Sequence, residues 1–142
     1  MAQYIISITA RDRSGIVAGV SKSLVLMQGN IRAASQTVHQ GYFAMIMLCE
    51  TEQKYSCEEI SRRICKQFAF DLHVYVTEYE QAASVAVSTG DNYIVSILGP
   101  DKPGILSEVT ELMAKRQINI EDLYCYTNKK NEFVVILQVT IS

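Results

Sequence analysis

The sequence predicts an α+β protein made of two related units: a ferredoxin-like βαββαβ unit followed by a second, C-terminally truncated βαββ unit. The first observation is an internal repeat. Placing Tyr4 over Tyr93, an offset of 89 residues, aligns "YIISITARDRSGIV" with "YIVSILGPDKPGIL", and seven of the fourteen positions are identical. The same offset places the Asn-Ile pair at 30–31 over the pair at 119–120. The second observation is the order of predicted elements, which starts again after the offset.

The first half of the first unit is predicted to form a strand, a helix and a strand. Residues 3–9 are rich in β-branched and aromatic side chains, which is typical of a strand. From Gly15 onwards apolar residues recur at steps of three and four, a spacing that predicts a helix ended by Gly29. These residues are Ile16, Val17, Val20, Leu24 and Met27. "NIRAASQTVH" at 30–39 predicts the second strand.

The second half of this unit adds a strand, a helix and a strand, which completes a unit at 1–80. "QGY" at 40–42 predicts a turn into the strand "YFAMIMLCE". Ser56 and Glu59 form a capping box that predicts a helix start. The apolar residues of this one-sided helix are Cys57, Ile60, Ile64 and Phe68. Residues 71–79 alternate apolar and polar side chains, which predicts a half-buried strand.

The second unit, 92–142, follows a small-residue connector at 81–91. The predicted elements are a strand at 92–98, a helix at 103–116, and strands at 119–127 and 132–141. The helix is expected to bury five apolar side chains. They are Ile105, Leu106, Val109, Leu112 and Met113.

The second unit has no counterpart of residues 56–79, so its first strand is predicted to keep an unpaired edge. Completion by another chain or by the first unit is expected, and the remaining alternative is that the chain is a fragment. We therefore expect a dimer or higher oligomer with the second unit at the contact.

Composition excludes several function classes. The 142 residues carry a formal net charge of −2, and the basic residues are scattered, so no nucleic-acid-binding face is expected. Apolar runs are strand-sized and the N-terminus starts directly in a strand pattern, so we expect no membrane span, no signal peptide and a cytoplasmic location. The four cysteines lack the spacing of a zinc or redox motif, and we expect no metal and no cofactor.

No catalytic constellation is predicted, so the chain is not expected to be an enzyme. His39 precedes a turn, and His73 falls on the polar side of a strand. Neither histidine has the setting of a Ser-His-Asp or Cys-His site. The sequence also lacks a phosphate-binding loop and a metal-ligand cluster.

The repeated polar loop is the candidate binding site. "DRSG" at 12–15 and "DKPG" at 101–104 each join a strand to a helix. Backbone N–H groups at a helix N-terminus suit a carboxylate, and the loop aspartate suits an ammonium group, so the predicted ligand is an amino acid. Ser14 is expected to cap its helix, and Pro103 to occupy a first turn. A loop that only caps and turns is the alternative for one occurrence, whereas two occurrences in register favour a ligand.

Asn30 and Asn119 are the second part of the predicted site. Each asparagine follows its loop glycine by fifteen residues and begins the next strand. We expect both side chains to lie next to the loop, where an amide can accept from an ammonium group and donate to a carboxylate. A turn residue between helix and strand is the alternative for each of them.

These motifs resemble the ACT domain family: a strand, an Asp-[Arg/Lys]-x-Gly-[Ile/Val/Leu] loop, a helix, and Asn-Ile at the start of the next strand. "DRSGIVAGVS" and "SQTVHQGYFAMIML" resemble small bacterial and archaeal ACT proteins. The tandem plan is similar to glycine cleavage system transcriptional repressors, and to the doubled ACT region before the catalytic domain of some phosphoserine phosphatases.

The resemblance implies that amino acids bind where ACT units pair, against the first loop and the asparagine of the second strand. The implied residues are Asp12, Arg13, Ser14, Gly15, Ile16 and Asn30 in the first unit, and Asp101, Lys102, Pro103, Gly104, Ile105 and Asn119 in the second. Ala10 and Asp12, with Gly99 and Asp101, stand where some serine-binding members have histidine and asparagine. A serine ligand is therefore not implied.

Three functions stay open at this point. The first is a non-catalytic regulatory protein that binds a small amino acid and signals by changing its association or its binding of a protein partner. The second is the regulatory region of a phosphoserine phosphatase-like enzyme whose catalytic domain is absent. The third is a dimerisation module without ligand.

Overall fold

The computed structural model describes residues 1–80 and 90–141, and it divides the chain into two compact units, Met1–Gln81 and Ala82–Ser142. Most of the predicted connector, residues 81–89, lies outside the described residues. Asp91, its last predicted residue, already belongs to the first strand of the second unit.

The first unit has the predicted βαββαβ order. Its elements are β1 (Ala2–Arg11), α1 (Ile16–Leu26), β2 (Gly29–His39), β3 (Tyr42–Thr51), α2 (Cys57–Cys65) and β4 (His73–Glu78). The four strands form one sheet in the order β2-β3-β1-β4, and each neighbouring pair is antiparallel. The ferredoxin-like arrangement of this unit is therefore confirmed.

The core of the first unit lies between one face of this sheet and the two helices. Alternate residues of β1 point into it because strand side chains alternate between faces. Ile6 and Ile8 are fully buried against Val20 of α1 and Ile60 of α2. Burying each such side chain stabilises the fold by about 1.5–3 kcal/mol. The opposite face of the sheet carries no helix of this unit.

The end of α1 differs from the prediction. The helix ends at Leu26, and Gln28 rather than Gly29 takes the left-handed conformation that closes it, with φ of 54°. The Gln28 N–H donates to the Val25 carbonyl at 2.9 Å. Gly29 is required for another reason: a side chain there would stand 3.0 Å from the Cys49 Sγ and from the Leu24 carbonyl oxygen.

The capping box of α2 is confirmed on its serine side, because the Ser56 hydroxyl accepts from the Glu59 N–H at 3.2 Å. The helix ends at Cys65, so Phe68 lies beyond it. The Phe68 ring packs onto Gly19 of α1, where a β-carbon would stand 2.5 Å from the ring. The missing side chain therefore lets the segment after α2 approach α1 closely.

The second unit has the order βαββ among its described residues. Its elements are β5 (Asp91–Pro100), α3 (Ile105–Lys115), β6 (Asn119–Thr127) and β7 (Glu132–Ile141). The sheet is antiparallel with the order β5-β7-β6, so β7 takes the central place that β3 has between β2 and β1. The fold class predicted for this shorter unit is also confirmed.

Helix α3 buries less than the sequence predicts. Leu106, Val109 and Met113 are half-buried against Val135, Leu137 and Val139 of β7. No residue of α3 is fully buried. The prediction was wrong for Leu112, which is 54% exposed, because it lies on the side of the helix turned away from the sheet.

The two units differ most at the edge of their first strands. β1 pairs with both β3 and β4, whereas β5 pairs with β7 alone among the described residues. The repeat-related tyrosines also differ: Tyr4 is 1% exposed and is bonded to the Tyr55 backbone, whereas Tyr93 is 49% exposed. The described part of β5 therefore offers the unpaired edge that the sequence predicts.

Candidate functional site

The two repeated loops have the same backbone at the start of their helices. Gly15 caps α1 with φ of 93° and ψ of −3°, and Gly104 caps α3 with φ of 92° and ψ of −7°. This left-handed conformation favours glycine because it has no β-carbon. Nothing lies within 4 Å of where a β-carbon would stand at either position. Backbone conformation and not crowding therefore explains both glycines.

Neither helix start is capped by a side chain. The prediction that Ser14 caps α1 was therefore wrong, because Gly15 and not Ser14 takes the cap position. Pro103 likewise precedes the cap at Gly104 and does not stand in the first turn. The first backbone N–H groups of each helix have no partner within the helix, and they carry the positive end of its dipole.

Each loop is fixed to the hairpin of its own unit. The Asp12 N–H donates to the Gly41 carbonyl at 2.9 Å, and the Asp101 N–H donates to the Asn131 carbonyl at 3.3 Å. The Asp101 carboxylate also accepts from the Thr127 hydroxyl at 3.4 Å. These bonds hold the aspartates at the same place in both repeats.

Arg13 and Lys102, which the repeat aligns, have different surroundings. The Arg13 guanidinium carbon lies 3.7 Å from the centre of the Phe70 ring, and Phe70 packs on Phe68 with ring centres 5.2 Å apart. Lys102 is exposed. The phenylalanines that support Arg13 were missed as site residues by sequence reasoning, since no local pattern links residues so far apart in the chain.

Asn30 and Asn119 lie away from the loops, which corrects the prediction that they lie next to them. Asn30 pairs with Glu50 of β3, and Glu50 pairs with Gln3 at the start of β1. The loop follows Arg11 at the other end of β1. At about 3.3 Å per residue, roughly 25 Å of strand separates them. The reason is topological: α1 returns the chain to the level at which β1 began.

Each asparagine has a carboxylate close by in the sheet, Glu50 opposite Asn30 and Glu121 two residues after Asn119. In the first unit, Glu50 accepts from Arg32 at 3.3 Å and from Gln3 at 3.1 Å. The hydrogen bond from Arg32 is the main reason that the pKa of the Glu50 carboxyl lies below its ordinary value, and the bond from Gln3 lowers it further.

In the second unit the Asn119 amide donates to Glu121 at 2.7 Å, and the Thr140 hydroxyl lies 3.1 Å from the same carboxylate oxygen and 2.9 Å from the amide oxygen of Asn92. The charge at the β-bulge thus changes sign between the repeats, from Arg32 to Glu121. The sequence alignment of the two repeats shows this change of charge, but it does not show which residues Arg32 and Glu121 bond to.

Residues 1–80 and 90–141 contain no group of three or more His, Cys, Asp or Glu side chains placed to hold a metal ion. None of the helices in those ranges is long and apolar enough to cross a membrane. Cys49 is buried, and burial raises the pKa of its thiol; Cys57, Cys65 and Cys125 are half-buried.

Comparison with known proteins shows which family the second unit is similar to. Residues 93–141 match the model of the ACT domain. A UPF0237 protein of Methanocaldococcus jannaschii is 46% identical over 50 residues, which are 35% of this chain and 56% of the relative. A UPF0237 protein of Clostridium acetobutylicum is 46% identical over 57 residues, 40% of this chain and 60% of the relative. The chain thus spans less than two thirds of these curated relatives.

Two solved structures share the fold over nearly the whole chain, and a third shares it over part of the chain. An unknown protein from Galdieria sulphuraria has a TM-score of 0.78 and 24% identity over 99% of this chain and 82% of its own. A candidate glycine cleavage system transcriptional repressor has a TM-score of 0.66 and 20% identity over 99% and 81%. An ACT domain protein from Streptococcus pneumoniae has a TM-score of 0.50 and 26% identity over 61% and 98%.

The matched residues, 93–141, contain all but the first two residues of β5 and the whole of the α3, β6 and β7 elements. In the first unit, seven of the fourteen residues at 4–17 are identical to those at 93–106, and the βαββ order and the glycine-capped loop recur. The second unit is therefore similar to the ACT domain, and the chain joins a complete ferredoxin-like first unit to a βαββ second unit.

Proposed function

We propose that this protein is a non-catalytic regulator that binds a small amino acid at its loops and signals through a change in association or in binding of a protein partner. One observation carries the proposal: both loops present a helix start that no side chain caps, behind a left-handed glycine. Such N–H groups favour a carboxylate. Asp12 and Asp101, each fixed by its backbone N–H, supply the charge for an ammonium group.

The asparagines join this site through a second copy of the chain. Because Asn30 and the loop of its unit lie at opposite ends of the sheet, one ligand reaches both only when two units lie side by side and antiparallel. One N–H of the Asn119 amide is donated to Glu121, and its carbonyl oxygen can accept from an ammonium ligand. A homodimer is therefore part of the proposal.

Exposed strand edges support association. The residues of β2 after Gly29 are all exposed, and β5 pairs with one strand among the described residues. Edge strands offer unpaired backbone groups for pairing with another chain. A ligand held between two copies favours the paired state by its extra affinity for that state, and this shift in population is the signal.

The test is a screen of the twenty amino acids by thermal shift, followed by calorimetry on any that raise the melting midpoint. Asp101→Asn should weaken binding at least tenfold, because it removes the charge that meets the ammonium group. The matched control is Asp91→Asn, which removes an exposed aspartate outside the loops and should bind as the wild type. Light scattering should show that the ligand changes the fraction of dimer.

Three outcomes oppose the proposal. If no amino acid raises the midpoint at millimolar concentration, the chain is a dimerisation module without ligand. If Asp101→Asn and Asp91→Asn bind alike, the ligand lies elsewhere. If a ligand binds while the chain stays a monomer, the asparagines do not belong to the site.

A further inference from the structure

A second candidate site lies on the first unit, on the sheet face opposite its helices. A cavity of about 410 Å³ opens there, where β1 ends and β4 begins. We call it the arginine cavity. Its polar lining is Thr9, Arg11, Arg13, Tyr42, Asp71 and His73. The volume is within the range of pockets that hold small molecules.

Strand register explains why these side chains meet. Arg11 pairs with Tyr42 across β1 and β3, and Thr9 pairs with His73 across β1 and β4. Directly opposed residues of antiparallel strands share a face. Ile8 and Ala10 alternate with them and point into the core. Two strand pairs therefore set four of the six polar side chains around one cavity.

The charges around the cavity do not neutralise one another. Neither the Arg11 guanidinium nor the Asp71 carboxylate forms a hydrogen bond or ion pair with another described residue. Arg13 is held by its stack on Phe70, which uses the face of the guanidinium and leaves its in-plane N–H donors for a ligand. Two guanidinium groups and one carboxylate thus line a space with a net positive charge.

We propose that the arginine cavity binds a small organic oxyanion, a carboxylate or a phosphate, that also carries a hydroxyl or ammonium group. Arg11 and Arg13 match oxyanions because a planar guanidinium donates two parallel hydrogen bonds to two oxygens. Tyr42 and His73 add donors beside them. Asp71 accepts from the hydroxyl or ammonium group of the ligand, which selects against a bare inorganic anion.

The second unit does not repeat this site. Pro100 stands at the repeat position of Arg11 and pairs with Glu132, which takes the place of Tyr42. Leu98 replaces Thr9, and among the described residues β5 has no second partner strand to supply a histidine. The repeat therefore predicts one oxyanion site for each chain, whereas the loops occur twice.

The test is calorimetry on the full chain at constant ionic strength, with glycerol 3-phosphate, malate and sulfate as probes and glycerol as the neutral control. Glycerol 3-phosphate or malate should bind saturably with one site per chain, and the stronger of the two identifies phosphate or carboxylate as the preferred oxyanion. Arg11→Gln should weaken that binding at least tenfold. Arg116→Gln, which removes an exposed arginine of the second unit, should leave it unchanged.

Asp71→Asn provides a second variant, which keeps both arginines of the cavity. It should weaken glycerol 3-phosphate or malate severalfold without weakening sulfate, because only the organic probes carry a hydroxyl for Asp71. Melting curves check that each variant is folded. The proposal is overturned if no probe binds saturably, if two equivalents bind, or if Arg11→Gln and Arg116→Gln behave alike. The proposed amino-acid site is tested separately by Asp101→Asn, because Asp101 does not line the arginine cavity.

Discussion

Arg13 lies over the face of Phe70, with its guanidinium carbon 3.7 Å from the ring centre. This contact joins the loop between β1 and α1 to the segment between α2 and β4. The two segments are more than fifty residues apart in the chain, so the contact exists only in the folded unit. It gives the first loop a support that the second loop, with exposed Lys102, does not share.

Phe70→Ala should loosen the first loop. The change removes a half-buried ring and its cation–π contact, so we expect the free energy of unfolding to fall by about 1–2 kcal/mol. Amide hydrogens of residues 12–15 should exchange faster by mass spectrometry. Phe70→Leu is the control, since it keeps apolar volume and loses only the stack. Unchanged exchange in the alanine variant would show that Phe70 does not support the loop.

Gly15→Ala and Gly104→Ala should each destabilise the protein by about 1–2 kcal/mol in urea unfolding, since a β-carbon disfavours a left-handed backbone. Asn substitutions should cost less, because asparagine adopts this conformation more readily. Gly99→Ala is the matched control: it also has open space around it, but its φ is not in the left-handed range. Equal losses at all three glycines would contradict the backbone explanation.

Tyr4→Phe should cost about 1–3 kcal/mol of unfolding free energy. The Tyr4 hydroxyl donates to the Tyr55 carbonyl at 2.7 Å and accepts from the Tyr55 N–H at 2.9 Å. Phenylalanine leaves both backbone groups without this partner. The repeat supplies the control, because Tyr93→Phe changes the same residue at an exposed position and should be almost neutral. Thermal and urea unfolding of the two variants measure the difference.

Acid stability should depend on Glu50. Its pKa in the folded protein is below the ordinary value of 4.5, mainly because Arg32 donates to it. A lowered folded pKa adds stability that is present above 4.5 and is lost as the pH falls towards the folded pKa. Unfolding free energy should therefore fall less steeply below pH 4.5 in Glu50→Gln than in the wild type. If the pH dependence of unfolding is the same in both proteins, Glu50 does not contribute to acid stability.

Local sequence was sufficient where the backbone depends on neighbouring residues. The loops 12–15 and 101–104 share aspartate and glycine at the same spacing, and they fold to the same capped turn because the left-handed conformation favours glycine wherever it occurs. The Ser56 cap followed from its spacing to Glu59. The prediction that Ser14 caps α1 was wrong because the cap is the residue that adopts positive φ, which is Gly15.

Contacts between residues far apart in the chain could not be predicted from local sequence. Asn30 was expected beside its loop because it follows the helix closely in sequence, yet strand direction carries it to the opposite end of the sheet. The arginine cavity needed the register of β1 with β3 and with β4. Leu112 had helical spacing but lies on the outer side of α3, since spacing alone does not say how wide a stripe the sheet covers.

By itself, the sequence determined the repeat, the ferredoxin-like plan and the two glycine loops, because these depend on residue type and short-range spacing. Tertiary structure decided how deeply residues that are identical in the two repeats are buried and which residues they contact. Tyr4 and Tyr93 align in the repeat, yet one is buried beside Tyr55 and the other is half exposed. The physical reason is that burial and partner choice depend on which strands and helices pack alongside a residue, and that information is spread over the whole unit.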